Sequence, residues 1–379
     1  METPSRRSFL LSGGSLVAGA GLGYGFAHRN AFLSGQDRLE WTFETKGHIR
    51  SSPTVTDWQV YIGSADSNVY AVDMNGRLDP TFRLSTRRGV YSSPALPDER
   101  TTYVGSKDGN VYGSADPYEG SHYDWSVELG DRVTSSPTVV GSTIYIGGSD
   151  GALYALGSRT GLEQWDFETG DSLWSSPAVA DGTVYVGSSD SAVYAIDAGD
   201  GSKRWQFETG GAVSSSPTVA EGTVFVGSDD GAIYALDTED GTERWRFETR
   251  DAVRSSPTVL DGTLWVGSGD GNVYAIDIAD GSTEWQYETG GFVFSSPTVA
   301  DETVYVGSRD GRLYALDAET GGENWTFETG GIVHSSPTVA DGTVYVGSWD
   351  RNLYALDTDG NGTSEGSRAE LQTLGYPAD

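Results

Sequence analysis

Apolar and polar residues alternate in short bursts along most of this chain, and the bursts repeat. In the last copy they read "WTFET" (Trp325–Thr329), "SSPTV" (Ser335–Val339), "TVYVGS" (Thr343–Ser348) and "NLYALD" (Asn352–Asp357). A period of two, with Val, Tyr, Phe and Thr at the apolar positions, predicts β-strands. Asp310-Gly311, Asp341-Gly342 and Asp350-Arg351 fall between such stretches and mark tight hairpins.

The four-strand unit recurs. Ser-Ser-Pro begins at Ser51, Ser92, Ser135, Ser175, Ser215, Ser255, Ser295 and Ser335, and from Ser135 onward the spacing is 40 residues each time. An aromatic precedes each one, at Trp41, Phe82, Trp125, Trp165, Trp205, Trp245, Trp285 and Trp325. Four short strands at this period describe a propeller blade. The predicted fold is therefore all-β, an eight-bladed β-propeller of four-stranded antiparallel blades. The register also predicts closure. Trp41–Thr45 is a lone fourth strand, and the last copy stops after three strands at Asp357. The N-terminal strand should complete the last blade beside Asn352–Leu356, which removes both open edges. Residues 1–34 then form a signal or anchor with a linker, 35–358 the propeller and 359–379 an acidic tail.

Ala315 to Trp325, "ALDAETGGENW", carries A-x-D-x-x-T-G-x-x-x-W. Ala195/Asp197/Gly201/Trp205, Ala235/Asp237/Gly241/Trp245 and Ala275/Asp277/Gly281/Trp285 repeat it with Asp in place of Thr. This resembles the tryptophan-docking motif of the pyrroloquinoline-quinone (PQQ) repeat superfamily of propellers. The resemblance implies that Trp125, Trp165, Trp205, Trp245, Trp285 and Trp325 pack between neighbouring blades while the Gly lets the chain turn. Gly157 replaces the Asp before Trp165, and the copies before Phe82 and Trp125 depart further.

Two functional classes come with that resemblance. Quinoprotein dehydrogenases hold PQQ and Ca²⁺ above the channel, use an Asp as base, and are longer because insertions build the site. Compact BamB-like members are propellers without a cofactor that serve as protein-binding scaffolds. Here the blades are nearly minimal, and no stretch matches the catalytic Asp or the Ca²⁺ ligands of the dehydrogenases. The scaffold class is expected, with a PQQ-dependent oxidoreductase as the alternative.

Charge narrows the partners. The 379 residues carry 55 Asp and Glu against 24 Lys and Arg, a formal net charge of −31. The acids are spread through the repeats, and lysine occurs only at Lys46, Lys107 and Lys203. This resembles haloarchaeal proteins, whose surfaces stop repelling themselves where the Debye length is about 3 Å, at ~1 M salt. Duplex nucleic acid is excluded as a partner for such a charge. There is no cysteine, hence no disulfide, thiolate chemistry or Cys-bound zinc.

The N-terminal stretch Ser5-Arg6-Arg7-Ser8-Phe9-Leu10 opens a weakly apolar run rich in Gly and Ala, ending near Ala27. It resembles a twin-arginine export signal, with Leu11 where Lys is common. That implies export in the folded state to the cell surface or beyond. Membrane contact is expected only if this segment stays uncleaved.

Three further patterns invite chemistry. Gly147-Gly148-Ser149-Asp150-Gly151 fits G-x-S-x-G, but its Ser falls in a strand–strand hairpin where the hydrolase elbow needs a strand and then a helix. His28, His48, His122 and His334 suggest no relay. Asp357, Asp359, Asn361 and Glu365 follow the opening of a Ca²⁺ loop, D-x-D-x-N-G, although Arg368 stands where the bidentate Glu belongs and Glu370 would have to swing in. Asn324 and Asn361 begin glycosylation sequons.

The copies disagree at two positions. The residue before Ser-Ser-Pro is Arg50, Tyr91, Thr134, Trp174, Ser214, Arg254, Phe294 and His334. The residue before the hairpin Asp is Ala65, Lys107, Ser149, Ser189, Asp229, Gly269, Arg309 and Trp349. Counting strand reversals places both sets on one face, around the channel mouth. The opposite face is more uniform and acidic, with Asp181, Glu221, Asp261, Asp301 and Asp341. Arg and Trp anchor interfaces, and Arg suits carboxylate or phosphate. The expected site is the mouth carrying Arg50, Tyr91, Trp174, Arg254, Phe294, His334, Arg309 and Trp349. Its expected partner is a protein or an anionic small ligand, bound by a monomer.

Overall fold

The computed structural model describes residues 35–98, 101–114 and 123–366. The twin-arginine stretch, Ala27, His28, His122, Arg368 and Glu370 lie outside these. The body that begins at Ser34 holds eight antiparallel sheets, each one blade. Blades 1 to 7 occupy residues 54–85, 102–128, 138–168, 178–208, 218–248, 258–288 and 298–328. Blade 8 joins residues 338–357 to the N-terminal strand Leu39–Glu44, which pairs antiparallel with Asn352–Asp357. The predicted fold and its closure are both present. Among the described residues no helix is long and apolar enough to cross a membrane.

One blade differs. Blade 2 has three strands, and its innermost one shrinks to a single bridge between Ala95 and Tyr103. Pro97 follows two residues later, and a residue without an N–H cannot extend that ladder.

Within a blade, burial follows strand position. The second and third strands, such as Thr343–Gly347 and Asn352–Asp357, are almost wholly buried because neighbouring blades cover both their faces. The outermost strand, such as Glu243–Glu248, alternates exposed and half-buried residues. The core is thus eight layers between blades. In one of them Trp265, Val273, Trp285 and Val293 of blade 6 meet Val299, Val304 and Tyr314 of blade 7.

The repeated letters are hydrogen-bonding devices. The first serine of each Ser-Ser-Pro is buried, and its Oγ accepts the N–H of the glycine that ends the second strand, as Ser295 does from Gly307 at 3.0 Å. The second serines form a closed ring. The Ser52 N–H donates to Ser93 Oγ, Ser93 to Ser136, Ser136 to Ser176, and so on through Ser216, Ser256, Ser296 and Ser336 back to Ser52, all at 2.9–3.1 Å. These serines line the central channel. Threonine hydroxyls add a further tie, donating to the proline carbonyl of the next blade at Thr54, Thr138, Thr218, Thr258, Thr298 and Thr338. Ala95 and Ala178 stand at the other two positions.

The indoles dock across blades. Nε1 of Trp125, Trp165, Trp205, Trp245 and Trp285 donates to a carbonyl of the following blade at 2.8–3.1 Å, and Trp41 does the same to Met74. A left-handed glycine of that blade lies flat on each ring. At Gly281 (φ +76°) an added Cβ would come within 2.8 Å of Trp245 Cδ2, so only glycine fits. Trp325 is covered differently: the Arg38 guanidinium sits 4.9 Å above its ring.

Candidate functional site

Each residue at the variable position before Ser-Ser-Pro is held between two fixed ones. The residue preceding it (Ile49, Val90, Val133, Leu173, Val213, Val253, Val293 or Val333) is fully buried between blades. The serine following it is buried too. With both flanks pinned, the residue between them turns toward the axis. Arg50, Tyr91, Thr134, Trp174, Ser214, Arg254, Phe294 and His334 accordingly line one cup at the channel mouth. From the second variable set only Arg309 and Trp349 reach it. The cup encloses about 410 Å³, enough for a compact ligand or an inserted side chain.

Aromatics build one wall. His334 stacks on Trp349 with centroids 5.2 Å apart and planes 14° apart. Phe294 packs on His334 at 5.7 Å, and His48 lies 5.2 Å from the Trp349 ring. His48 Nε2 is 2.9 Å from the Tyr91 hydroxyl. Trp174 and Phe292 stand out at the rim, 49% and 46% exposed.

The cations separate into two kinds. Arg254 is spent: its Nε and Nη2 donate to both carboxylate oxygens of Asp229 at 2.8 and 2.9 Å. Among the described residues Arg50, Lys107 and Arg309 form no ion pair, and rings receive them instead. Arg50 lies 5.0 Å from the Tyr91 centroid, Lys107 Nζ 4.5 Å from the same ring and Arg309 5.5 Å from Phe292. Burial holds the Arg50 guanidinium below its usual range, and the charge of Arg309 adds to that. The same two effects act on His334: burial first, then Arg50 and Arg309, push its imidazole down to about 3. It is a neutral ring at any ordinary pH. Two buried polar atoms of the lining lack a hydrogen-bond partner, Trp349 Nε1 and Thr134 Oγ1.

Comparison with known proteins fits this architecture. A family model described as the β-propeller of beta-alanine-activating enzyme matches residues 114–300, and one described as outer membrane protein assembly factor BamB matches 289–363. The crystal structure of BamB from Moraxella catarrhalis superposes with a TM-score of 0.73 at 18% identity, over 84% of this chain and 99% of that one. The computationally designed Ika8 protein gives 0.74 at 17%, with the same coverage. No curated protein matches by sequence. The chain has the eight-bladed propeller fold of these two structures.

The other candidate residues of this propeller are engaged elsewhere. In the stretch resembling a Ca²⁺ loop, the Asp359 carboxylate pairs with the buried Arg38, which also donates to the Asp357 carbonyl at 3.1 Å. The Asn361 and Gly362 N–H groups donate to Asp301, and the Glu365 N–H to the Val299 carbonyl at 2.7 Å. Residues 359–366 thus lie along the inner strands of blades 8 and 7 on the acidic face, ahead of the rest of the expected tail. Among the described residues no group of three or more His, Asp or Glu is placed to hold a metal ion. Ser149 sits in its hairpin, where its N–H donates to the Arg132 carbonyl and its carbonyl accepts from the Ser172 hydroxyl.

The hairpin aspartates are structural. Asp350 accepts from the Gly330 N–H of the preceding blade and from the Tyr354 hydroxyl at 2.6 Å each, and Asp310 serves Gly290 and Tyr314 in the same way.

Sequence reasoning missed three contributors: His48, Phe292 and the masking of Arg254 by Asp229. Only the last left a trace. Asp229 and Arg254 are 25 residues apart, as are Ser149 and Trp174, and Arg309 and His334. That offset is the distance between facing positions of the two variable sets.

Proposed function

We propose that this BamB-like propeller is an exported, non-catalytic binding module at the cell surface that receives a protein partner on its cationic, aromatic mouth. The observation carrying this reading is the gathering of Arg50 and Arg309 in the cup, with Lys107 over the Tyr91 ring at its edge, three cations that form no ion pair among the described residues, in a chain of net charge −31. The match of residues 289–363 to an assembly factor supports a scaffold. The resemblance of Ser5–Leu10 to a twin-arginine signal supports the location.

The full-length protein would be crosslinked on intact cells beside a Trp174→Ala/Arg254→Ala/Trp349→Ala variant. Loss of the crosslinked partners from the variant is expected; an unchanged set would remove this face from consideration.

The cup's aromatics and cations favour a second reading, a PQQ-dependent oxidoreductase with the cofactor's carboxylates at Arg50 and Arg309. The donor set does not fit its Ca²⁺: Asp229, the acid at the mouth, is bound by Arg254. Dialysis of the protein against PQQ with and without Ca²⁺, in molar KCl, separates the two. Stoichiometric, Ca²⁺-dependent retention would favour the oxidoreductase.

A further inference from the structure

The hydrogen-bonding deficit of the mouth has one sign. Among the described residues Arg50, Lys107 and Arg309 form no ion pair, and the buried Trp349 Nε1 has no hydrogen-bond partner. Thr134 Oγ1, equally unpartnered, can give or accept. Neutral His334 adds no charge of its own. A half-buried guanidinium facing a second one is costly to leave without an anion, and an unmade buried hydrogen bond adds to that cost. Acceptor oxygens with negative charge would answer Arg50 and Arg309, which line the same cup as Trp349 and Thr134. A planar carboxylate matches the guanidinium fork.

The rim says what carries that carboxylate. Trp174, which lines the cup, and Phe292 at its rim keep nearly half their surface in water. A free small acid would fill the floor and leave both rings wet. A chain segment bearing an acidic side chain between apolar ones would cover them as well. Resting on the scaffold reading above, we infer that the mouth recognises an acidic loop tip of its protein partner, an Asp or Glu carboxylate clamped by Arg50 and Arg309 with flanking apolar residues on Trp174 and Phe292. The specificity is for charge at the centre and apolar surface at the edge. Arg254, already held by Asp229, shapes the wall without joining the clamp.

The test uses the full-length protein in molar KCl and three probes: a blocked Phe-Glu-Phe tripeptide, its Phe-Gln-Phe counterpart and glutarate. Binding is read by calorimetry and by indole fluorescence. The Glu peptide should bind about tenfold more tightly than the Gln peptide, since close charge pairs in desolvated interfaces carry couplings of this size or larger. Arg50→Gln and Arg309→Gln should each erase that preference, while Arg204→Gln, outside the mouth, should keep it. Arg309→Lys controls for folding and should retain part of the preference. Trp174→Ala should weaken the Glu peptide and leave glutarate unchanged. Equal binding of the two peptides, no binding of either, or a preference that survives Arg50→Gln would overturn the inference. Glutarate binding as tightly as the Glu peptide would overturn the loop-tip assignment. Ca²⁺-dependent PQQ retention would sink the scaffold reading whatever the peptides do. Surface crosslinking to the mouth without Glu preference would leave that reading standing and remove this one.

Discussion

The backbone N–H of Ser336 donates to Ser52 Oγ at 3.1 Å, joining residues 284 apart in sequence and completing the ring of second serines. Seven links of that ring connect neighbouring repeats; this one joins the ends of the propeller. Ser52→Ala removes its acceptor and leaves the Ser336 N–H facing the channel. The expected loss is about 1 kcal/mol, near the low end for an unmade hydrogen bond because channel water can substitute. Chemical denaturation checks it, and the equivalent Ser216→Ala, within the chain, should cost about the same if closure is as tight as the other junctions.

The docking glycines offer a sharper contrast. Gly281→Ala must push a methyl into the Trp245 indole and also adopt φ +76°. Gly262→Ala meets the same kind of backbone penalty at φ +85°, but nothing lies within 4 Å of its added Cβ. The first should cost roughly 2–4 kcal/mol, strain and overpacking together, and the second about 1 kcal/mol. Equal losses would mean that the indole yields freely and that the docking is not tight.

What the sequence made legible divides by range. A forty-residue period exposes every strand, because each blade repeats the same burial pattern. A lone fourth strand at Trp41 exposes the closure. Membership of the mouth was legible for Arg50 through His334 because a buried aliphatic residue (Val, Ile or Leu) and a buried Ser flank each variable residue alike. Contacts that break the repeat were not legible. Arg38 reaches Trp325, Asp357 and Asp359 from the far end of the chain, so no local pattern announces it, and the acids it binds read instead as the opening of a Ca²⁺ loop. Blade 2 lost its inner strand to Pro97, which the Ser-Ser-Pro template hides. His48 looked isolated because its neighbours Tyr91 and Trp349 come from other blades.

Arg38 carries a prediction of its own. It is 5% exposed, bound to the Asp357 carbonyl and the Asp359 carboxylate, and seated over Trp325, where the other blades use a glycine. Arg38→Met fills the space but leaves those acceptors unanswered. The expected loss is about 2–3 kcal/mol. Hydrogen exchange should speed up first at the Ser364 and Glu365 amides, whose bonds to Val339 and Val299 hold the segment against blades 8 and 7. Asp359→Asn should cost less than 1 kcal/mol, roughly, because that side chain is largely in water. If the two variants behaved alike, the cation over the indole would contribute nothing.

His334 ties the mouth to pH. Its imidazole falls from the ordinary value near 6.5 to about 3 because burial, then Arg50 and Arg309, oppose its charge. In the unfolded chain it takes a proton near the ordinary value, so between the two values the unfolded state binds more protons than the native one. The native state therefore loses stability as pH falls from about 6.5 toward about 3, and above that window the contribution is complete. His334→Gln removes the titrating group while keeping a polar side chain of similar reach. Its stability should fall less steeply across this window than that of the wild type, measured by denaturant midpoints at matched salt. A wild-type NMR titration should show the His334 ring unchanged through pH 5. A ring that titrates near 6.5 would mean that water or an anion already relieves the charge between Arg50 and Arg309, and the acid limb of the two proteins would then coincide.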